Sequence, residues 1–273
     1  MSDYEIPIIF KSNKDELISK FWNAKPFPHI YIDDFLDDDS FQILAKAAKE
    51  VDIKPAMTFN SEIQSGKDIF SNADSPKAIQ AIVDVLSHPE FVQQLSILTK
   101  IENIRPLTEF KSDFLPFKYF HQMSDGGHLG SHVDHSTVGI DNVHVLNCIF
   151  YITDKWESDW GGDSLFFSKF GFKEKARVSY KPNRLVIFLH TSQSFHGVSK
   201  LRGNRYKRST IYMDYNLDKN KLENVKNQAI NNGSKFIPKF WAHQTTFIPG
   251  SFKNFHRLKV YFKYLVKRVL RTY

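Results

Sequence analysis

Three residues have the types and spacing of a metal site. His132 and Asp134 lie two positions apart, and His196 follows later in the stretch Ser-Phe-His-Gly-Val. Two neutral imidazoles and one carboxylate can hold a non-haem ferrous ion on one face and leave the opposite face open for a co-substrate and dioxygen. His-x-Asp is a common motif by itself, and a surface turn would be its plainer explanation. The elements around these residues must therefore decide whether they form a metal site.

The neighbouring residues place this set on strands. Side chains i and i+2 of a strand point to the same side, so His132 and Asp134 can reach one ion from a single strand. His196 must then come from a second strand, which requires a closed or folded-over sheet. Just upstream, the pair Gly126-Gly127 is predicted to turn the chain before the first of these strands.

Most of residues 114–215 has the pattern of strands separated by Gly, Asn and Asp turns. Residues 143–151 are an apolar run long enough for a buried strand. Residues 183–189 are predicted to form the strand that leads to His196. A last strand, residues 208–215, begins with an arginine.

Helices are predicted before these strands. The acidic residues 37–39 with Ser40 are typical of a capped helix start, because acidic side chains stabilise the positive end of a helix. Ser75-Pro76 opens a second helix that runs through Leu86, since proline fits the first helical turn. A third helix is predicted over residues 89–100.

The order of these motifs resembles that of the iron(II)- and 2-oxoglutarate-dependent dioxygenases, in particular their prolyl-4-hydroxylase-like branch. The shared pattern is a glycine pair, His-x-Asp, a strand ending in Tyr, then Trp, Gly-Gly, His-Gly-Val and a basic residue opening a short strand. Residues 26–36 also resemble the opening strand of that branch. The resemblance covers residues 25–217. It implies a mainly β fold with flanking α, a double-stranded β-helix (jelly-roll) core buttressed by N-terminal helices.

The implied organisation is a dioxygenase domain over residues 1–217, with its motif core at 114–217, followed by a C-terminal extension over residues 218–273. By the same resemblance His132, Asp134 and His196 are the metal ligands. His190 lies close to the required place and is the alternative to His196. His128 shares strand parity with His132 and could face the mouth of the pocket, although a polar strand end is its plainer explanation.

The resemblance also implies a site for 2-oxoglutarate, whose distal carboxylate needs a fixed cation. Arg208 is the predicted anchor, because a guanidinium can donate two parallel hydrogen bonds to a carboxylate, and Thr210 on the same strand face would add a hydroxyl. Arg205 and Lys207 are the alternative cations.

Tyr151 resembles the family's pocket tyrosine, which donates to the same carboxylate, although simple packing is its alternative. Asn147 shares its strand face and is predicted to line the same wall. Trp156 and Gly161-Gly162 are interpreted as structural.

The activity implied is oxidative. Fe(II), dioxygen and 2-oxoglutarate would hydroxylate an unactivated C–H bond and release succinate and carbon dioxide, with ascorbate as a candidate reductant. Two rival functions are a binding module on the same fold and a cupin-type metal enzyme that does not use 2-oxoglutarate. The substrate stays open between a peptidyl proline, a small metabolite and a glycan or lipid-linked glycan, because the fold does not determine it. Variable loops at residues 53–75 and 120–131 are expected to select it.

The composition of the chain bears on the cellular compartment in which the protein is expected to work. The chain of 273 residues has one cysteine, Cys148, inside a predicted core strand, which excludes a disulfide framework and favours a reducing compartment. The first residues lack the basic and apolar regions of a secretory signal, and no stretch has the 18 or so apolar residues of a membrane span. A cytoplasmic location is expected.

The net charge of +7 comes from the C-terminus. Residues 251–273 contain seven Lys or Arg and no Asp or Glu, so the rest of the chain has 30 basic and 30 acidic residues. Residues 255–271 have an apolar face and a basic stripe at helical spacing. The plainer explanation of this pattern is a helix whose apolar face packs on the barrel and whose basic stripe is solvated. The alternative hypothesis is a helix that lies on an anionic membrane at the cytoplasmic face. No specific nucleic-acid binding is expected, because no recognition module is present.

Overall fold

The computed structural model describes residues 4–11, 13–61, 63–109, 119–134, 137–138, 141–203, 206–218, 220–221 and 235–236. These residues form four helices, which are α1 (Lys14–Asn23), α2 (Asp38–Lys49), α3 (Lys77–Ser87) and α4 (Pro89–Thr99). Short 3-10 helices lie at Leu107–Glu109 and Ser158–Trp160. The strands are β1 (His29–Ile32), β2 (Met57–Phe59), β3 (Gln64–Phe70), β4 (Arg105–Pro106), β5 (Phe120–Val133), β6 (Thr137–Val138), β7 (Asn142–Tyr151), β8 (Ser164–Phe167), β9 (Glu174–Val178), β10 (Arg184–Leu189), β11 (His196–Val198), β12 (Arg208–Asp218) and β13 (Lys235–Phe236).

The three helices expected from the sequence are confirmed. At the start of α2 the Asp37 carboxylate accepts a hydrogen bond from the Ser40 backbone N–H at 2.9 Å, which satisfies one of the free donors of the first turn. Pro89 occupies the first turn of α4, and Lys100 ends that helix in the left-handed region. The sequence patterns had not predicted α1. In the described part of the chain, no helix combines the length and apolar character needed to cross a membrane.

The strands form one antiparallel sheet in the order β1-β10-β7-β12-β5-β11-β8-β9. The β2–β3 hairpin pairs with β5, and short strands extend the sheet where β4 meets β12, β6 meets β7, and β13 meets β5. The sheet closes nearly completely into a jelly-roll-like barrel. The predicted mainly β fold class with flanking helices is therefore confirmed, and β1 pairs with β10 as the predicted opening strand.

The central strand β7 is buried on both faces, which explains its largely apolar sequence. Phe150 faces the helices in the larger core, and its ring lies 5.1 Å from that of Phe35 in an edge-to-face contact. Ile149 and Tyr151 point the other way and pack with Phe166 in a second cluster inside the barrel. The helices thus stiffen the outside of the sheet, while its inner face carries the site.

Two expectations about loops are wrong. Gly126-Gly127 does not turn the chain between strands, because both residues lie within the long strand β5. Gly126 has a positive φ of 74°, and the pairing of β3 with β5 changes register beside it, so the extra residues are absorbed as a bulge. The segments 53–75 and 120–131, expected to be variable loops, contain β2, β3 and most of β5.

The predicted boundary at residue 217 stays a prediction. After β12 the described residues are only 220–221 and β13, whose Phe236 pairs with His132 of β5. The basic helix predicted over residues 255–271 lies outside the described residues.

Candidate active site

The two histidines of the predicted set are brought together by strand pairing. His132 is near the end of β5 and His196 opens β11, and the two are direct partners in the antiparallel register. Their ring centroids are 4.3 Å apart. Asp134 follows β5 immediately, with Oδ1 at 3.3 Å from His132 Nε2 and Oδ2 at 3.4 Å from His196 Nε2. One ligand atom of each residue lies within 4.8 Å of the others, so the three can reach a single ion.

Backbone carbonyl groups orient both imidazoles. His132 Nδ1 lies 2.9 Å from the carbonyl oxygen of Gly130, and His196 Nδ1 lies 3.0 Å from that of Ser194. A neutral imidazole that donates through Nδ1 presents its Nε2 lone pair, and both Nε2 atoms face Asp134. This outer hydrogen bond is the one that fixes the tautomer of a metal-binding histidine. The donor set therefore fits a ferrous ion in both composition and orientation.

The contacts of Gly197 explain why β11 has the sequence His-Gly-Val. A Cβ atom at this position would lie 2.6 Å from the carbonyl oxygen of Leu129 and 3.1 Å from that of Gly130. Any other residue would push β11 away from β5. The close approach that glycine permits keeps His196 beside His132.

The electrostatics favour the protonation states that bind a metal. Burial would raise the pKa of the Asp134 carboxyl, but the imidazoles of His196 and His132 outweigh it and hold the pKa well below its usual range. Burial lowers the pKa of His132, and the neighbouring His196 lowers it further. The carboxylate is thus ionised, and His132 favours its neutral form.

Arg208 is the largest fully buried side chain among the described residues, with 1% of its surface exposed. It begins β12 on the inner face, and its guanidinium carbon lies 5.2 Å and 5.1 Å from the ring centroids of Tyr151 and Tyr180. Its Nε donates to the Gly162 carbonyl oxygen at 2.6 Å. Its Nη2 is buried and has no hydrogen-bond partner within the described part of the chain. A buried cationic donor without an acceptor is costly unless a ligand supplies one, and the carboxylate of an oxoacid would do so.

Gly162, the second residue of the glycine pair before β8, contacts Arg208. Gly162 has a φ of 79°, and a Cβ there would lie 3.0 Å from both Arg208 Cδ and Trp156 Cζ2. Its missing side chain leaves room for the guanidinium stem, and its carbonyl oxygen holds Nε. Trp156 Nε1 donates to the Gly161 carbonyl oxygen at 2.9 Å, which fixes the turn. The structural interpretation of Trp156 and the pair is confirmed, with a direct contact to Arg208 that the sequence did not indicate.

Tyr151 and Thr210 lie close to Arg208. They are direct partners across β7 and β12. The Tyr151 hydroxyl shares a 2.6 Å hydrogen bond with Ser164 Oγ, and burial raises the pKa of the phenol, so it stays protonated as a potential donor. Thr210 Oγ1 has a long contact of 3.5 Å to the His121 carbonyl oxygen.

Asn147 occupies a different part of the inner face from Tyr151, although it is on the same strand. Its Nδ2 donates to Asp214 Oδ1 at 3.2 Å and lies 3.5 Å from Asp134 Oδ2. The amide is therefore beside the His-Asp-His group rather than beside Arg208. Asn147 and Tyr151 thus line the same inner wall, as their shared parity predicts, but at different positions along β7.

The structure also shows where the residues that the sequence left as alternatives lie. His190 stacks on His144, with centroids 4.2 Å apart, and is not part of the His-Asp-His group. His128 is buried, with Nδ1 at 3.4 Å from the Gly126 carbonyl oxygen. Lys207 is exposed and donates to Gln122 Oε1 at 3.2 Å, while Arg205 lies outside the described residues.

Three residues that contact the site were not predicted from sequence: Ser164, Tyr180 and Asp214. Asp214 could have been predicted from the sequence, because residues 208, 210, 212 and 214 of one strand share a face with the predicted anchor Arg208. Tyr180 and Ser164 reach Tyr151 from other strands or loops, and no local pattern links them.

Comparisons with known proteins agree with this site. A family model described as the 2OG-Fe(II) oxygenase superfamily matches residues 119–213. No match was found among curated proteins.

Solved structures are also similar. A prolyl-4-hydroxylase from Pseudomonas putida is 18% identical with a TM-score of 0.50, covering 73% of this chain and 97% of its own. A prolyl hydroxylase from Trichoplax adhaerens, solved with a peptide of hypoxia inducible factor, is 14% identical with a TM-score of 0.53, covering 78% and 94%. The non-heme α-ketoglutarate-dependent epimerase SnoN of nogalamycin biosynthesis is 10% identical with a TM-score of 0.51, covering 86% and 95%. At these identities the likeness shows a shared fold.

Proposed function

We propose, from the match of a 2OG-Fe(II) oxygenase superfamily model to residues 119–213, which residues of this chain carry the reaction. The chain is a 2-oxoglutarate-dependent dioxygenase that requires Fe(II), 2-oxoglutarate and dioxygen. In the proposal His132, Asp134 and His196 hold the metal, and Arg208 anchors the distal carboxylate of 2-oxoglutarate.

The reaction is a coupled oxidation. Bound Fe(II) supplies the activation of dioxygen that an unactivated C–H bond requires. One oxygen atom enters succinate as 2-oxoglutarate loses carbon dioxide, and the other enters the hydroxyl group of the product. The protein would contribute His132, Asp134 and His196 as ligands and the buried Arg208 guanidinium to orient the co-substrate.

The co-substrate assignment rests on Arg208 Nη2, which is buried and has no hydrogen-bond partner among the described residues. The opposite end of the guanidinium is held by Gly162, and the rings of Tyr151 and Tyr180 flank it. The protonated Tyr151 hydroxyl is proposed as a second donor to the same carboxylate, with Ser164 as its partner when no ligand is bound. Thr210 is a weaker candidate, and Asn147 is assigned to the metal side of the pocket.

The rival functions are less well supported. A binding module would not need an oriented His-Asp-His group, and a cupin-type enzyme without 2-oxoglutarate would not need a buried arginine with a free donor. Measurement of succinate against 2-oxoglutarate consumed separates these possibilities. Equimolar succinate that depends on Fe(II) supports the dioxygenase, and oxygen consumption without succinate would overturn it.

We also propose that residues 251–273 bring the enzyme to the cytoplasmic face of an anionic membrane. Their seven basic and no acidic residues support this, since lysine and arginine are attracted to anionic head groups. A lipid-linked or glycan substrate would suit such a location. The tail packing on the barrel is the competing arrangement.

A further inference from the structure

Lys67 on β3 is a half-buried cation held between two aromatic rings. Its Nζ lies 5.6 Å from the ring centroid of Tyr212 and 5.9 Å from that of Phe59. An ammonium group at these distances is attracted by the negative faces of the rings. Within the described part of the chain this ammonium group forms no ion pair with a carboxylate and no hydrogen bond. The rings therefore position the charge of Lys67 without neutralising it.

The position of Tyr212 shows that the ammonium group lies on the inner side of the sheet. Tyr212 alternates along β12 with Ile211 and Met213, which are buried in the core that the helices share. Because side chains alternate across a strand, the Tyr212 ring faces the inside of the barrel, where it packs against the second cluster. Lys67 lies over this ring and is thus on the pocket side of the sheet.

A bulge at Gly66 directs Lys67 to this place. Gly66 has a φ of 63°, and the pairing of β3 with β5 changes register between Ser65 and Lys67. The Gly66 N–H donates to Asn60 Oδ1 at 3.0 Å, and a Cβ on Gly66 would lie 3.0 Å from Gly127 Cα. A bulge of this kind re-aims a neighbouring side chain. The two glycines let β3 lie close against β5 at this point.

The strand register places Lys67 on the same face as Arg208. Lys67 pairs with Met123 of β5, and Met123 pairs with Arg208 of β12. Direct partners in antiparallel strands point to the same face of the sheet. Tyr212 is also close to the guanidinium: burial lowers the pKa of Arg208, but the neighbouring phenols, Tyr212 foremost, raise it above its ordinary value. Two cations therefore flank one tyrosine on the inner wall.

Lys49 shows what a neutralised lysine looks like in the same protein. Its Nζ also lies 5.6 Å from a tyrosine ring centroid, that of Tyr206, but Asp154 Oδ2 is 3.3 Å away and supplies a counter-charge. Lys67 has the rings without the carboxylate. A half-buried charge in such a setting is favoured when an anion pairs with it.

We propose that Lys67 binds an anionic group of the substrate, a carboxylate or a phosphate, on the pocket wall beside the 2-oxoglutarate site. An ammonium group is a compact charge with three N–H donors, which suits either anion. The distal carboxylate of 2-oxoglutarate is assigned to Arg208, so the charge of Lys67 is left for the substrate. The compound hydroxylated by this enzyme is then an acid or carries an acidic side chain. This inference rests on the proposed function, since it takes the inner wall as the substrate pocket.

The test is equilibrium binding to the full chain, measured by calorimetry. Saturating Mn(II) and 2-oxoglutarate keep the probes out of the Arg208 site. The probes are two matched pairs of N-acetyl methylamides, glutamate with glutamine and phosphoserine with serine. The anionic member of at least one pair should bind at least tenfold more tightly than its neutral partner, because the charge-assisted hydrogen bond is lost in the neutral one. The pair that shows the larger ratio tells whether the group is a carboxylate or a phosphate.

Lys67→Met keeps an unbranched side chain against the two rings and removes the charge, so it should abolish the preference for anionic probes. Lys67→Arg keeps the charge and should retain the preference. Lys49→Met is the matched control and should also retain it, because Lys49 already has a carboxylate partner. The Kd of 2-oxoglutarate should stay within about twofold in all three variants, the scale of a surface ion contact.

Two results would overturn the proposal. The first is equal affinity within both probe pairs for the wild-type protein, or no binding up to the solubility limit of the probes. The second is a preference that survives Lys67→Met in a variant with an unchanged thermal midpoint. A tenfold weaker binding of 2-oxoglutarate to Lys67→Met, with the probe preference unchanged, would assign Lys67 to the co-substrate instead. Fe(II)-dependent succinate formation without any probe tells these failures from a failure of the proposed dioxygenase function.

Discussion

Replacement of Arg208 by alanine tests the co-substrate site most directly. In the wild-type protein the guanidinium is fully buried, Nε is bonded to Gly162, and Nη2 has no partner in the described part of the chain. A ligand carboxylate would therefore gain a charge-assisted hydrogen bond at a group that is already oriented. The loss of such a bond costs about 1.5–3 kcal/mol, which is roughly a ten- to 150-fold increase in Kd for 2-oxoglutarate.

The assay is calorimetric titration of the Mn(II)-loaded protein with 2-oxoglutarate. Mn(II) affinity should change little, because no contact joins Arg208 to the His-Asp-His group among those described. Arg208→Ala also leaves the Gly162 carbonyl oxygen without its donor, so the free energy of unfolding should fall by about 1–3 kcal/mol. Thermal unfolding measured in parallel shows whether enough folded protein remains for the titration.

Lys207→Ala is the matched control. Lys207 is the next residue along the chain, but it is exposed and bonded to Gln122, so its removal should leave the Kd within about twofold, the scale of a surface ion contact. Equal Kd values for wild type and Arg208→Ala would refute the assignment. A large effect of Lys207→Ala or Arg205→Ala, with none for Arg208→Ala, would move the anchor to that residue.

Three further predictions concern the metal, the tail and the core. His132→Ala and His196→Ala should each remove Fe(II)-dependent succinate formation and weaken Mn(II) binding; a double variant that kept oxygen consumption coupled to 2-oxoglutarate would show that the metal lies elsewhere. The full chain should sediment with anionic vesicles at low salt, and a protein ending at Gly250 should not; identical sedimentation of the two would remove the membrane proposal. Phe150→Ala should lower the free energy of unfolding by about 3–5 kcal/mol, because the ring is fully buried against Phe35 and its removal leaves a cavity; a loss below about 1 kcal/mol in urea unfolding would contradict this packing.

Much of this site can be predicted from the sequence because its signals are local. The two-residue spacing of His132 and Asp134 follows from the alternation of side chains along a strand. The Asp37 cap of α2 and Pro89 in the first turn of α4 act within one helical turn, and the largely apolar sequence of β7 indicates burial on both faces. Arg208 could be selected because the family resemblance implies a cation at the start of the last strand and a guanidinium suits a carboxylate, but the sequence left Arg205 and Lys207 open as alternatives.

Only the tertiary structure decided which residues meet. His196 rather than His190 joins His132, because β11 pairs with β5 in one register and Gly197 lets the strands approach closely. Strand parity correctly predicted that Asn147 and Tyr151 lie on the inner wall. Parity does not tell how far along the barrel a residue lies. The strand pairing places Asn147 beside Asp134 and Asp214. The contact of Gly162 with Arg208 joins residues 46 positions apart. Periodicity describes the face of a single element, whereas a site is made by the register between elements, which depends on the closure of the whole sheet.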